Sequence, residues 1–195
     1  MATVTKIYFD LETTGLTIDK CAIVQIAGLI ERDGNIVQEF NFRMAPHENA
    51  EITQEALDAN HLTLEEIQMY PNQKDQFKKF IRLLDKYIDR FNKKDKAFLV
   101  GYNNRQFDDQ VLRAWFKRNG HEYFGSYFWS NSLDVLVLAG EYLLTRRPGM
   151  PNFKLATVAN ELGLSPKEGE FHEALFDVKV TKAIYDIVTG RTMEL

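Results

Sequence analysis

The strongest constraint on the fold sits in the first 43 residues. Residues 4–12 are rich in β-formers and close on Thr13-Thr14-Gly15, a turn signal. Residues 21–31 are a largely apolar run. Asp33-Gly34-Asn35 then supplies hairpin chemistry, and Ile36, Gln38, Phe40 and Phe42 alternate with Val37, Glu39 and Asn41 over residues 36–43. Three sequential strands joined this way predict an antiparallel meander.

Beyond it the period changes. Short helices are expected over 53–58 and 63–68, each opened by a threonine. Only the second, with Glu66 three residues after Thr63, has capping-box form. Residues 72–92 carry Phe77, Phe80, Ile81, Leu84, Ile88 and Phe91 at helical spacing, a stripe read as core packing. An apolar strand at 97–100 precedes a helix over 105–118, capped by Asn103 or Asn104 and anchored by Phe107, with Val111, Leu112, Trp115 and Phe116 inward. A loop over 119–132, a buried helix over 133–144, a loop over 146–151, a helix over 154–162 and a last helix over 173–188 complete the chain. Strands first, then strands alternating with helices, predict a layered α/β domain with a mixed sheet.

Composition narrows the class. The 195 residues, 45% hydrophobic and 27% charged, suit a single domain over 1–195. Lys+Arg of 24 against Asp+Glu of 28 gives a net charge of −4, which argues against a strongly basic, DNA-coating protein. The lone Cys21 can form neither an internal disulfide nor a multi-cysteine zinc site. No signal-peptide pattern is seen, and the apolar runs are too short to span a bilayer, so a soluble cytoplasmic protein is expected.

Three segments carry chemistry. Asp10 and Glu12 point to one face at the end of a strand that Ile7, Tyr8 and Phe9 mark as buried. Carboxylates so placed repel unless a cation or a proton lies between them. Gly101-Tyr102-Asn103-Asn104-Arg105-Gln106-Phe107-Asp108-Asp109 follows the second apolar strand, and its aspartates also suit a helix N-terminus as simple first-turn charges. His172 precedes the last helix. Asp177 shares a face of that helix with Thr181, Ile184 and Val188, a costly place for an acid unless it is paired or metal-bound. Together these segments supply four carboxylates and one imidazole, and the oxygen-only ligands suit Mg²⁺ or Mn²⁺, not zinc. Two such ions about 3.5–4 Å apart support phosphodiester hydrolysis. An imidazole with a pKa of about 6.5 can take the proton of the attacking water.

At these residues the chain resembles the DEDDh 3′–5′ exonucleases, a superfamily that includes ribonuclease T and the proofreading epsilon subunit of DNA polymerase III. Asp10, Glu12, Thr13, Thr14, Gly15 and Leu16 match its D-x-E-T-T-G-L motif. Asn104, Phe107 and Asp108 match the second motif, and His172 with Asp177 the third. The first motif is the specific one; the others gain weight from their order along the chain.

The resemblance implies a ribonuclease-H-like α/β fold, with a central mixed five-stranded sheet flanked by helices. It implies Asp10, Glu12, Asp108 and Asp177 as ligands of two divalent cations, Mg²⁺ or Mn²⁺, and His172 as general base. It implies Leu16 as a wedge against the 3′-terminal base and Thr13 beside the 3′ end. Leu11, Thr14, Leu62, Asn104 and Phe107 join the expected substrate contacts. The implied activity is release of nucleoside 5′-monophosphates from the 3′ end of a single strand. The implied partner is a DNA polymerase or another replication or repair protein.

Two departures bear on substrate. Tyr102-Asn103-Asn104 stands where many relatives carry His-Asn, and Asn60-His61-Leu62-Thr63 where many read His-Gly-Ile-Thr. DNA is favoured through the proofreading-like pattern, and RNA stays open. Asp134 resembles a recurring aspartate of the family and reads as structural or as a support behind the ligands.

Arg146 and Arg147 are the candidates for phosphate contact, with Lys154 beside them. Between Lys74 and Lys96, nine basic residues face four acidic ones, a run read as a solvated helix face before a backbone-tracking surface. Two other classes fit less well. A non-cutting binding module conflicts with the presence of all five expected catalytic residues. A glycosidase conflicts with carboxylates so close together on one strand.

Overall fold

The computed structural model describes residues 3–164 and 173–190. Its sheet has five strands in the order β3-β2-β1-β4-β5. β1 (Thr5–Thr13), β2 (Ile23–Arg32) and β3 (Asn35–Arg43) form the expected meander. Asp33 and Gly34 both hold positive φ, at 50° and 90°, as a tight hairpin turn of this hand requires. β4 (Ala97–Gly101) runs parallel to β1 on its other side. β5 is only Leu133–Asp134, paired to Val100 and Gly101.

Eight helices lie among the described residues. They are α1 (Gln54–Ala59), α2 (Leu64–Gln68), α3 (Gln73–Tyr87), α4 (Asp108–Arg118), α5 (Phe124–Tyr127), α6 (Val135–Tyr142), α7 (Leu155–Glu161) and α8 (Ala174–Val188). Thr53 caps α1 through Ala56 N–H, and Thr63 forms a full capping box with Glu66 on α2.

Alternation along β1 sends its side chains into two separate cores. Ile7, Phe9 and Leu11 pack with Phe77, Phe80 and Leu84 of α3 and Val111, Trp115 and Phe116 of α4. Tyr8 on the opposite face packs with Val100, Val135 of α6, Val158 of α7, and Val178, Ile184 and Tyr185 of α8. Each large apolar side chain fully buried contributes about 1.5–3 kcal/mol, so β1 is held from both faces.

Four expectations are corrected. The helix expected over 72–92 ends at Tyr87. Ile88 is extended, and the side chains of Asp89 and Asn92 accept from Phe91 N–H and Lys94 N–H in local turns. Phe91, expected inside, is 84% exposed. The helix expected over 105–118 is broken. A 3₁₀ turn covers Asn104–Gln106, Phe107 leaves helical geometry at φ −130° and ψ −71°, and α4 starts at Asp108. Neither Asn103 nor Asn104 caps it by a side-chain hydrogen bond. The helix expected over 133–144 begins instead with β5. α5 lies where a loop was expected.

Candidate active site

The carboxylates meet where β1 and β4 end. Asp10 and Glu12 lie on the α8 side of β1, Asp108 opens α4 just beyond β4, and Asp177 lies in the first turn of α8. Asp10 keeps some solvent access, yet its surroundings are dense enough that burial is the main cause pushing its carboxyl well above the usual range. The charges of Asp108, Glu12 and Asp177 add to it. Burial, then Asp177, Asp108 and Glu173, lift Glu12 to about 8. Burial, with Asp109 and Asp134 nearby, lifts Asp108 to about 7. Four predicted acids, spread over 168 positions of sequence, thus share one field. Among the described residues they are not gathered into a closed cage of three or more ligands. The donor set is all carboxylate oxygen and suits hard divalent cations. His172 lies outside the described residues.

The two adjacent aspartates separate clearly. Asp109 accepts from Asn104 Nδ2 at 2.8 Å and from Ser132 Oγ. Asp109 is thereby tied to the scaffold, while Asp108 joins the carboxylates. Gly101 makes this possible, because a Cβ there would lie 2.7 Å from Asn104 Cβ. Asp134 accepts from Asn103 N–H and Leu136 N–H, and so fixes the turn after β4 and starts α6. Its role is structural, as read from the sequence. The ties made by Ser132 and Asn60 are not expected from the sequence. Asn60 Nδ2 donates to Thr13 O at 3.0 Å, which pins the segment before Leu62 against the end of β1. A lone serine or asparagine leaves no sequence signal for such a tie.

The expected substrate contacts fall into two groups. Leu16 is 83% exposed at the rim. Thr13 is largely buried and donates its hydroxyl to Gly15 O. Leu11, by contrast, packs in the core under β1, and Phe107 packs against that core. Thr14 spends its hydroxyl on Glu51 O and Ala22 N–H. Asn104 is buried and bound to Asp109. Leu62 packs beside Val24, Leu57 and Ile67. The side chains of these five are engaged within the protein. Arg146 pairs with Glu161 at 3.5 Å, and Arg147 lies over the Phe153 ring at 5.1 Å and donates to Met150 O.

The profile of the ribonuclease T exonuclease family matches residues 7–185. The chain belongs to this exonuclease family. It is 27% identical over 182 residues to the PolC-type DNA polymerase III of Thermotoga petrophila, covering 93% of this chain and 12% of that one. It is 32% identical over 116 residues to exodeoxyribonuclease I of Escherichia coli, covering 51% and 23% of the two chains. The structure of E. coli exonuclease I with a dT13 oligonucleotide superposes with a TM-score of 0.75 at 22% identity, over 96% of this chain and 41% of that one. Another of that enzyme's single-stranded DNA complexes holds a zinc ion. The fold is therefore ribonuclease-H-like, as the motifs implied. The chain spans about an eighth of the polymerase relative and two-fifths of exonuclease I in these structures.

Proposed function

We propose that the chain acts as one exonuclease domain that hydrolyses the terminal phosphodiester bond at the 3′ end of single-stranded DNA and releases nucleoside 5′-monophosphates. The observation that carries this reading is the convergence of Asp10, Glu12, Asp108 and Asp177 on one end of β1, each acid raising the energy of ionising another. These four would hold two divalent cations, Mg²⁺ or Mn²⁺. When bound, the cations supply Lewis-acid chemistry for attack of water on phosphorus and departure of the 3′ oxygen.

The chain's own groups supply the rest. Leu16 projects from the rim where a terminal base can stack on it, and Thr13 borders the 3′ end. His172, five residues before Asp177, takes the proton from the attacking water. Arg146 and Arg147 are candidate phosphate contacts. The PolC-type relatives carry their matching segment inside a polymerase chain, which supports work beside a polymerase or another replication or repair protein. No described helix is long and apolar enough to cross a membrane, and a cytoplasmic place is part of the same reading.

The test uses end-labelled DNA and RNA strands of equal sequence, with Mg²⁺, Mn²⁺ or a chelator. Mononucleotide release that needs the metal, is faster on DNA and is lost in Asp10→Ala is expected. In His172→Ala, the rate should fall about 10²–10⁴-fold. Undiminished hydrolysis in chelator, or in Asp10→Ala, would overturn the proposal. Equal or faster cleavage of RNA would overturn the DNA preference alone.

A further inference from the structure

The basic run between Lys74 and Lys96 does not form one surface. The end of α3 divides it. Lys86 and Arg90 line a cleft beside Asp85, Asp89 and Asp95, so cations there are matched by acids. Lys74, Lys78 and Arg82, at i, i+4 and i+8, share an exposed face of α3. That face lines a cavity of about 490 Å³ between α3 and the end of α4, where Arg118 adds a fourth cation. No carboxylate lines it; Asp75 reaches only Lys78, at 3.3 Å on the exposed surface. Its floor is apolar, from the partly buried Ile81 and the edge of the core residue Phe77, with the His121 ring alongside.

A second cavity, of about 450 Å³, opens on the other side of Arg118. Arg113 and Lys117 of α4 line it opposite Ile18 and Asp19. Arg118 belongs to both cavities and joins them. Ile18 follows the exposed Leu16 by two residues, and α4 begins at Asp108. The cations of α4 and α3 therefore continue from the rim of the carboxylate site along a helix about 16 Å long.

We infer that this track holds the single-stranded DNA that trails 5′ of the terminal nucleotide, with phosphates on Lys117, Arg113, Lys74 and Lys78 and bases toward the Phe77–Ile81 floor. The inference rests on the exonuclease reading and names how that site would grip a long strand. A positive groove that tracks the backbone, over an apolar floor, is the chemistry that holds single strands without reading sequence. In a chain of net charge −4, such affinity has to come from a local concentration of cations.

The test compares two triple variants with equal change of net charge. Lys74→Gln/Lys78→Gln/Lys117→Gln removes the track; Lys86→Gln/Lys93→Gln/Lys94→Gln removes three exposed lysines elsewhere. Turnover is measured with Mg²⁺ on a thymidine trinucleotide and on a thymidine strand of about 20 nucleotides, longer than a typical single-strand site. The trinucleotide should be cut by both variants as by the unaltered protein. On the long strand, KM of the track variant should rise at least about tenfold. Its log–log salt slope should flatten by about 2, at about 0.7 for each phosphate no longer neutralised. The other triple should keep the unaltered protein's KM and slope. If both triples weaken alike, or neither does, the track is overturned. If the unaltered protein cuts neither substrate, the exonuclease reading fails, and the track is judged separately from fluorescence anisotropy of the labelled long strand. Equal affinity of the two triples would then overturn it.

Discussion

Asp108 and Asp109 are neighbours with opposite surroundings. Both oxygens of Asp109 accept hydrogen bonds, from Asn104 and Ser132, whereas Asp108 faces Asp10. Asp109→Ala should therefore cost about 1.5–3 kcal/mol of stability in urea denaturation, the usual worth of hydrogen bonds to a charged group. Asp108→Asn should abolish nucleotide release while leaving the metal-free fold at least as stable. The pH dependence follows from the raised carboxyls. Folding holds protons on Glu12 and Asp108 that the unfolded chain gives up near its ordinary carboxylate values, so the folded state binds more protons in that window. Metal-free protein should lose thermal stability as pH rises from about 4.5 to about 8, the range bounded by the ordinary glutamate value and that of Glu12. Added Mg²⁺ should flatten this slope, and Glu12→Gln should weaken it. A melting temperature indifferent to pH over that window would contradict the shared field.

At the scale of elements, α8 is locked to the sheet by charge as well as by packing. Lys6 of β1 pairs with Glu31 of β2, both nearly inaccessible. Tyr8 Oη donates to Glu31 Oε2 at 3.1 Å, and Lys182 of α8 reaches Glu31 at 3.7 Å and Asp186 at 2.5 Å. Burial raises the Glu31 carboxyl, but the Lys6 hydrogen bond and charge, with Tyr8 and Lys182, outweigh it and leave it below the ordinary value. Its contribution is thus complete above the unfolded value and is lost as pH falls through the folded one. Lys6→Met should cost about 3–5 kcal/mol, since it leaves Glu31 buried without its main partner. Gly28→Ala should be destabilising by about 1–3 kcal/mol or more, because the new Cβ would sit 2.4 Å from Tyr8 O, a backbone atom that cannot swing aside. Much of this scale was legible in sequence. The meander showed because strand alternation and an Asp-Gly turn are local signals, and Thr63 with Glu66 announced α2. β5 was hidden because two residues have no period, and Asp134 begins a helix directly after them. Phe91 has helical spacing, but the chain leaves the helix at Ile88 and Asp89 turns it before Phe91 is reached.

For the whole molecule, the carboxylate group was legible because each acid lay in a motif of fixed order. The burial of the Leu11, Thr14 and Asn104 side chains was not, because it is set by tertiary packing that the motifs do not display. Charge is also unevenly spread. Setting aside the four site acids leaves 28 − 4 = 24 acidic residues against 24 basic ones, so the acid excess equals the number of acids at the site.

The position of β1 between two cores has one more consequence. It pairs with β2 from Thr5 to Thr13 and with β4 from Thr5 to Tyr8, and its side chains pack both above and below. No partial opening can expose this strand without dismantling both layers. Its backbone hydrogens should exchange with deuterium only when the entire molecule opens, and so among the slowest. Asp10 and Glu12 follow directly on the doubly paired Thr5–Tyr8 stretch and remain opposite Ala27 and Gln25 of β2, so that rigid stretch fixes where they stand.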